Sequence, residues 1–285
     1  MMNMNKLNIG TCSWKYESWQ GLVYPEFDSF NYLEEYSKKY NTVEIDQWFW
    51  SLHPNNKITL PKYNTVEEYY NSTPEEFKFT VKIPNSITLT HPYKSKEINK
   101  HFLSLDLMEA FLDSIKMLKP KIGMLMFQFE YLNKQKMGSQ NEFQQRLGEL
   151  FIKLDRKYNY AVEIRNPNFL NQQMFSFLNN HDISFVFLHG YYMPPIFETF
   201  SNFAEFIKDR TVIRLHGFER KGIELKTKKI WNEIVDPKDD DLRKVADMII
   251  KLLDLNVDTF LNVNNHFEGS APLTIEKILN RLTNY

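Results

Sequence analysis

A closed barrel of eight parallel strands wrapped by outer helices, the (β/α)8 architecture, is the fold class this sequence predicts. Three observations lead to it. Short apolar segments of strand length recur eight times along the chain, most of them with period-two alternation. Segments with helical spacing lie between them and after the last. The strands tend to end on charged or amide side chains, as in AVEIR (161–165), VIRLH (212–216) and FLNVNN (260–265). Alternating strands and helices imply parallel strands joined by crossovers, so the polar face looks into an enclosed space and not into water.

The expected strands lie near 7–11, 42–46, 77–83, 122–128, 160–165, 183–189, 211–216 and 258–264. Between them the spacing predicts helices over 29–39, 65–72, 104–117, 140–156, 171–180, a weak segment around 201–207, 238–254 and a closing one at 272–282. Leu242, Val245, Ala246, Ile249, Ile250 and Leu253 make one apolar stripe, and Ile275, Ile278, Leu279 and Leu282 make another. Pro74, Pro84, Pro120, Pro167 and Pro237 fall between these elements, as residues without an N–H should. With 285 residues and no linker, low-complexity segment or charge block, the chain reads as one barrel domain over 1–285.

Successive side chains on a strand point to opposite faces. Glu44 with Asp46, Lys78 with Lys82, Glu163 with Arg165, Arg214 with His216 and Asn262 with Asn264 therefore share a face in pairs, while Val43, Ile45, Phe79, Val81, Val162, Ile164, Ile213, Leu215, Leu261 and Val263 take the other. The net charge of −1 gives no general attraction to a polyanion. No apolar run is long enough to span a bilayer or act as a secretion signal, so the expected location is cytoplasmic. The single cysteine, Cys12, excludes an intramolecular disulfide and a cysteine-rich metal site. Its sequence neighbours identify no base paired with it, so it reads as a small buried residue rather than a nucleophile.

The strand endings also carry a resemblance. IGTCSW (9–14) followed by WQGLVYP (19–25), NTVEIDQWFW (41–50), TPEEFKFTVKIPNSITLTH (73–91), IGMLMFQF (122–129), YAVEIRNPNF (160–169), VIRLHGF (212–218) and NVNNHFEGSAP (262–272) resemble the DUF72, or YecE-like, family in order and over essentially the whole chain. The resemblance implies a TIM-barrel fold and no known reaction. The chain departs from the family pattern at Asp46, Gln47, Trp48, Trp50 and Glu130, which points to a different rim, and in the LHG ending at 188–190, so His189 inherits no role.

In barrel enzymes the active site lies at the C-terminal ends of the strands. Asp46, Lys82, Gln128, Arg165, His189, His216, Asn264 and Asn265 are expected to ring that mouth, with Glu44, Glu163, Arg214 and Asn262 one layer below. Lys82, Arg165 and Arg214 favour an anionic small molecule, because a guanidinium fork matches carboxylate or phosphate and an ammonium supplies a mobile charge. Glu163 or Glu44 is the natural general base, with His216 as acid or base partner. Trp14 offers an apolar face for stacking, and Gln128, Asn262, Asn264 and Asn265 offer amides to a polar ligand. The helix N-terminus at Pro272, after a turn at Gly269, is a second place for an anion.

No cofactor is predicted. A divalent metal on Glu44, Asp46, Glu163, His189 and His216 is the weaker reading, since no tight ligand motif occurs and arginines repel cations. The favoured function is acid–base chemistry, of hydrolase, lyase or isomerase type, on a polar, anionic metabolite that bears a phosphate or carboxylate, a sugar-like one included. Two alternatives stand beside it: a non-catalytic ligand-binding or sensor barrel, and a metal-dependent phosphodiesterase or nucleic-acid processing enzyme, which the near-neutral charge disfavours. The most basic stretch, Arg220 to Lys229, reads as a solvated loop. Oligomeric state is not legible.

Overall fold

The computed structural model of the chain describes residues 3–26 and 29–283, so the extreme ends of the expected 1–285 domain lie outside it. Eight strands close into a barrel: β1 (Leu7–Thr11), β2 (Thr42–Ile45), β3 (Lys78–Lys82), β4 (Ile122–Gln128), β5 (Tyr160–Glu163), β6 (Ser184–Gly190), β7 (Arg210–Gly217) and β8 (Asp258–Val263). Around the ring they follow chain order, and β8 returns beside β1 through a parallel ladder from Leu7↔Thr259 to Thr11↔Val263. No helix among the described residues is long and apolar enough to cross a membrane.

Outer helices follow as α1 (Tyr32–Ser37), α2 (Tyr63–Asn71), α3 (Leu105–Ser114), α4 (Gln140–Phe151), α5 (Gln172–Asn180), α6 (Ile196–Phe203), α7 (Arg220–Thr227), α8 (Asp239–Asp254) and α9 (Ala271–Thr283). Their starts obey capping chemistry. Asn31, Ser104, Ser139 and Asn171 each accept a backbone N–H from the first turn of α1, α3, α4 and α5, which satisfies donors the helix leaves open. Before α4, Glu142 also reaches back to the N–H of Gly138.

The chain divides into two compact units. The first comprises Met1–Glu44, Ser72–Lys78 and Val186–Tyr285. Its longest helix, α8, opens on Asp239, Asp240 and Asp241, whose charges complement the helix dipole, and buries Leu242, Val245, Ala246, Ile249, Leu252 and Leu253. It ends where Asn256 takes a left-handed φ of 59° and Val257 N–H bonds back to Leu252. The second unit comprises Ile45–Asn71 and Phe79–Phe185 and has an aromatic core. Phe127 packs on Phe151 at 5.8 Å and Phe129 on Phe143 at 4.9 Å, both edge to face as the ring quadrupoles favour.

Several boundaries differ from the sequence expectation for identifiable reasons. The helix expected over 29–39 is confined to α1 because Asn31 caps it. The segment expected around 201–207 begins earlier, at Ile196, where Pro195 starts α6. Pro120 does not lie between elements but inside a 3₁₀ turn, Lys116–Lys121, that extends α3. The basic stretch read as a solvated loop forms α7, which buries Ile223 and Thr227 one turn apart. The 47–64 connection holds a short antiparallel pair, Leu52–His53 with Lys57–Ile58.

The β1–β2 approach depends on Gly10, where a Cβ would stand 1.8 Å from the Thr42 carbonyl oxygen. Gly10→Ala is therefore expected to destabilise the fold by about 3 kcal/mol or more, the upper end of overpacking costs, measured as a lower urea midpoint.

Candidate functional site

Inward polar side chains fall into a group within each unit. In the first, the register runs Gly10↔Asn262, Asn262↔Arg214 and Leu188↔Arg214, which sets these residues on one face. Glu44 and Arg214 are 0% and 1% exposed, and the arginine Nε and Nη2 donate to the two carboxylate oxygens at 2.7 and 2.6 Å. This fork-on-carboxylate geometry is the one that best offsets the cost of desolvating two charges. The base candidate Glu44 thus holds Arg214.

Two residues on, His216 stands at the end of β7. Its Nε2 lies 3.5 Å from the Cys12 sulfur, and its Nδ1 lies 3.3 Å from the Tyr191 hydroxyl. The imidazole beside Cys12 is thus supplied from 204 positions away. Trp14 is buried just after β1, with its carbonyl accepting the Tyr24 hydroxyl.

Asn264 and Asn265 organise the turn after β8. The Asn264 side-chain oxygen accepts the His266 N–H at 3.0 Å, and that of Asn265 accepts the Ala271 N–H at 2.9 Å. His266 in turn meets Glu224 of α7 at 3.0 Å, and Arg220 donates to the same carboxylate at 2.8 Å. A carboxylate of the chain itself stands just ahead of α9 and ties that helix to the start of α8. Glu268, fully buried, accepts the Lys238 N–H that opens α8, the Thr274 hydroxyl in α9 and the Lys277 ammonium at 2.7–2.8 Å.

In the second unit Gln128 pairs in register with Glu163, whose carboxylate accepts Arg165 Nε at 2.8 Å. Glu163 is 1% exposed, whereas Arg165 is half-buried. The Lys82 ammonium sits 3.9 Å above the Phe49 ring, where the π face offsets part of its desolvation. Asp46 is half-buried and begins the 3₁₀ turn Gln47–Phe49. Sequence reasoning missed Asn85, whose oxygen accepts the N–H groups of Ser51 and Leu52 at 3.0 and 2.8 Å, and Asn166, which pairs with both backbone groups of Leu132. The signal was present: each asparagine adjoins a proline just after a strand.

His189 does not join the ring of mouth residues. Leu188 shares the Arg214 face, so His189 takes the opposite one, with Nε2 at 3.2 Å from Asp241 in the first turn of α8 and Phe197, Phe218 and Phe267 around the ring. Burial pushes it below the usual histidine range, and Asp241 pulls only partly back. Its Nδ1 is buried with no hydrogen-bond partner, which a proton there would make costlier. Among the described residues no three His, Cys, Asp or Glu side chains gather so as to hold a metal ion.

The family described as "Protein of unknown function DUF72" matches residues 8–285. No curated protein matches the chain. Among solved structures, a DUF72 family protein from Thermotoga maritima MSB8 shares 21% identity over 97% of this chain and 99% of that chain, with a TM-score of 0.67. One from Enterococcus faecalis V583 shares 17% identity over 97% and 95%, with a TM-score of 0.69. Xylanase XynB from Paenibacillus barcinonensis shares 10% identity over 97% and 96%, with a TM-score of 0.50. Likeness at these identities speaks for the barrel and not for a reaction.

Two outcomes test this geometry. Arg214→Met leaves the Glu44 carboxylate buried without its fork and is expected to cost about 3–5 kcal/mol in chemical denaturation, with Glu44→Leu/Arg214→Met recovering a large part of the loss. His189 sets a pH dependence. The unfolded chain takes up its proton at about pH 6.5, the folded chain only at lower pH, so stability falls as pH drops through 6.5 and levels once the folded imidazole is protonated. Thermal melts from pH 8 to 5 should show that fall, and His189→Gln should reduce it, the remainder coming from His266, which burial also pushes below the usual histidine range.

Proposed function

Because this chain belongs to the DUF72 family, whose description assigns no reaction, we propose from its own residues that it is a small-molecule enzyme working by acid–base chemistry on a polar, anionic metabolite. The ligand bears a phosphate or carboxylate, on a sugar-like body or a comparable polar one, and binds at the C-terminal ends of the strands. A cytoplasmic setting suits a metabolite of this kind.

One observation carries the reading: charged and amide side chains are buried on inward faces that barrels ordinarily fill with branched apolar residues. Glu44, Arg214 and Asn262 in the first unit, and Lys82, Gln128 and Glu163 in the second, are all buried. Buried charges are neutral or unfavourable for stability compared with a packed apolar interior, so their presence calls for a ligand. The proton-transfer candidates are Glu163 in the second unit and His216 in the first. Lys82 and Arg165 attract the anionic group, and Arg214, locked by Glu44, forms a rigid floor with donor capacity directed by that lock. Gln128, Asn262 and Trp14 give orientation and shape.

The experiment is a thermal-shift screen of phosphorylated and carboxylated metabolites, followed by turnover of the best stabiliser. Glu163→Gln is expected to lower kcat by about 100-fold or more with a small change in KM, as loss of a general base does, and Arg165→Gln to act mainly on KM. A stabilising metabolite recovered chemically unaltered after long incubation would sink the enzyme reading and leave the non-catalytic binding barrel.

A further inference from the structure

Three strand ends of the first unit bring a thiol, an imidazole and a phenol together. Cys12 follows β1, with its N–H held by the Val263 carbonyl at 3.0 Å. His216 presents Nε2 to the sulfur at 3.5 Å and Nδ1 to the Tyr191 hydroxyl at 3.3 Å. A nucleophile within reach of a base, and that base oriented through its other nitrogen by a third group, is the arrangement that covalent catalysis needs. A cysteine that merely packs needs apolar neighbours and no such order.

The backbone around the phenol is specialised. Tyr191 takes a left-handed φ of 56°, unusual for a bulky side chain, and its N–H bonds to the Gly217 carbonyl at 3.2 Å. Gly190 and Gly217 allow this approach, since a Cβ at Gly190 would lie 2.4 Å from the Gly217 oxygen. The result is a phenol ring whose centroid is 5.6 Å from that of the His216 imidazole. With Nδ1–H donating to the Tyr191 oxygen, Nε2 keeps its lone pair for the Cys12 S–H.

We propose that Cys12 is a nucleophile, with His216 as its base and Tyr191 as a positioning residue, and that the substrate carries an activated acyl group, an ester or thioester of the anionic metabolite. This deepens the acid–base reading above and rests on it for the identity of the ligand. The thiol proton passes to Nε2 as sulfur bonds to the carbonyl carbon and the π pair moves to oxygen. Collapse of that adduct breaks the bond to the leaving group, which takes the proton from the imidazolium. Water then attacks the thioester, giving a proton to Nε2, and the departing sulfur takes it back. The sum is hydrolysis, with water as the co-reactant.

Because Cys12 is the chain's single cysteine, intact-mass labelling reads this thiol alone. The full-length protein is treated with methyl methanethiosulfonate at about pH 6.5, folded and in urea. Folded wild type is expected to label at least about tenfold faster than the unfolded chain, as an activated thiol does. His216→Gln should label more slowly than unfolded wild type, and Tyr191→Phe should shift the pH profile of labelling to higher pH. With p-nitrophenyl acetate, wild type should release a burst of one nitrophenolate per chain that Cys12→Ser loses. Folded wild type labelling no faster than the unfolded chain, or His216→Gln labelling as fast as wild type, overturns the proposal. Labelling needs no metabolite, so its failure is read separately from failure of the anionic-ligand screen.

Discussion

The buried fork between Arg214 and Glu44 constrains the first unit more than any other contact described in it. It joins β7 to β2, three steps apart round the ring, and both charges are out of water. An arrangement of this kind holds only if each partner keeps its place, because a strand that slipped by one residue would turn its charge to the opposite face and leave the other unpaired. The pair therefore fixes the register that carries His216, two residues beyond Arg214, to the end of β7. Stability and site geometry rest on the same two side chains.

That dependence shapes the electrostatics a ligand meets. Arg214 has Glu44 and Arg165 has Glu163, each pair within one unit, so neither guanidinium presents a bare charge. The Lys82 ammonium also stands over the Phe49 ring at 3.9 Å, which offsets part of the cost of burying it. The Arg214–Glu44 pair, with both groups out of water, is screened little by salt, whereas the half-buried Arg165 is screened more.

The eight strands were legible because inward polar residues alternate with apolar ones in most of them, and the helices because their buried stripes recur at helical spacing. Strand β6 was the exception. Phe185, Phe187 and His189 face one way, Val186 and Leu188 the other, and with both faces apolar the sequence could not say which side His189 takes; the Leu188↔Arg214 pairing decides it. Helix α7 was illegible for a different reason, since its buried contribution is small and Leu225 is exposed. The Cys12–His216 contact joins residues that no local pattern relates. Glu268 was hidden inside a turn whose glycine and proline drew the reading, although a carboxylate just ahead of a helix start is the chemistry that such a start attracts.

Glu268 has a consequence beyond its hydrogen bonds. Where other barrels recruit a phosphate to the start of a late helix, this chain places a side-chain carboxylate, joined to the Lys238 N–H that opens α8 and to the Thr274 hydroxyl in the first turn of α9. A tethered ligand competes at an effective concentration that no free metabolite matches. One buried carboxylate thus couples the first turns of α8 and α9, so a change at this single side chain loosens both helices at once.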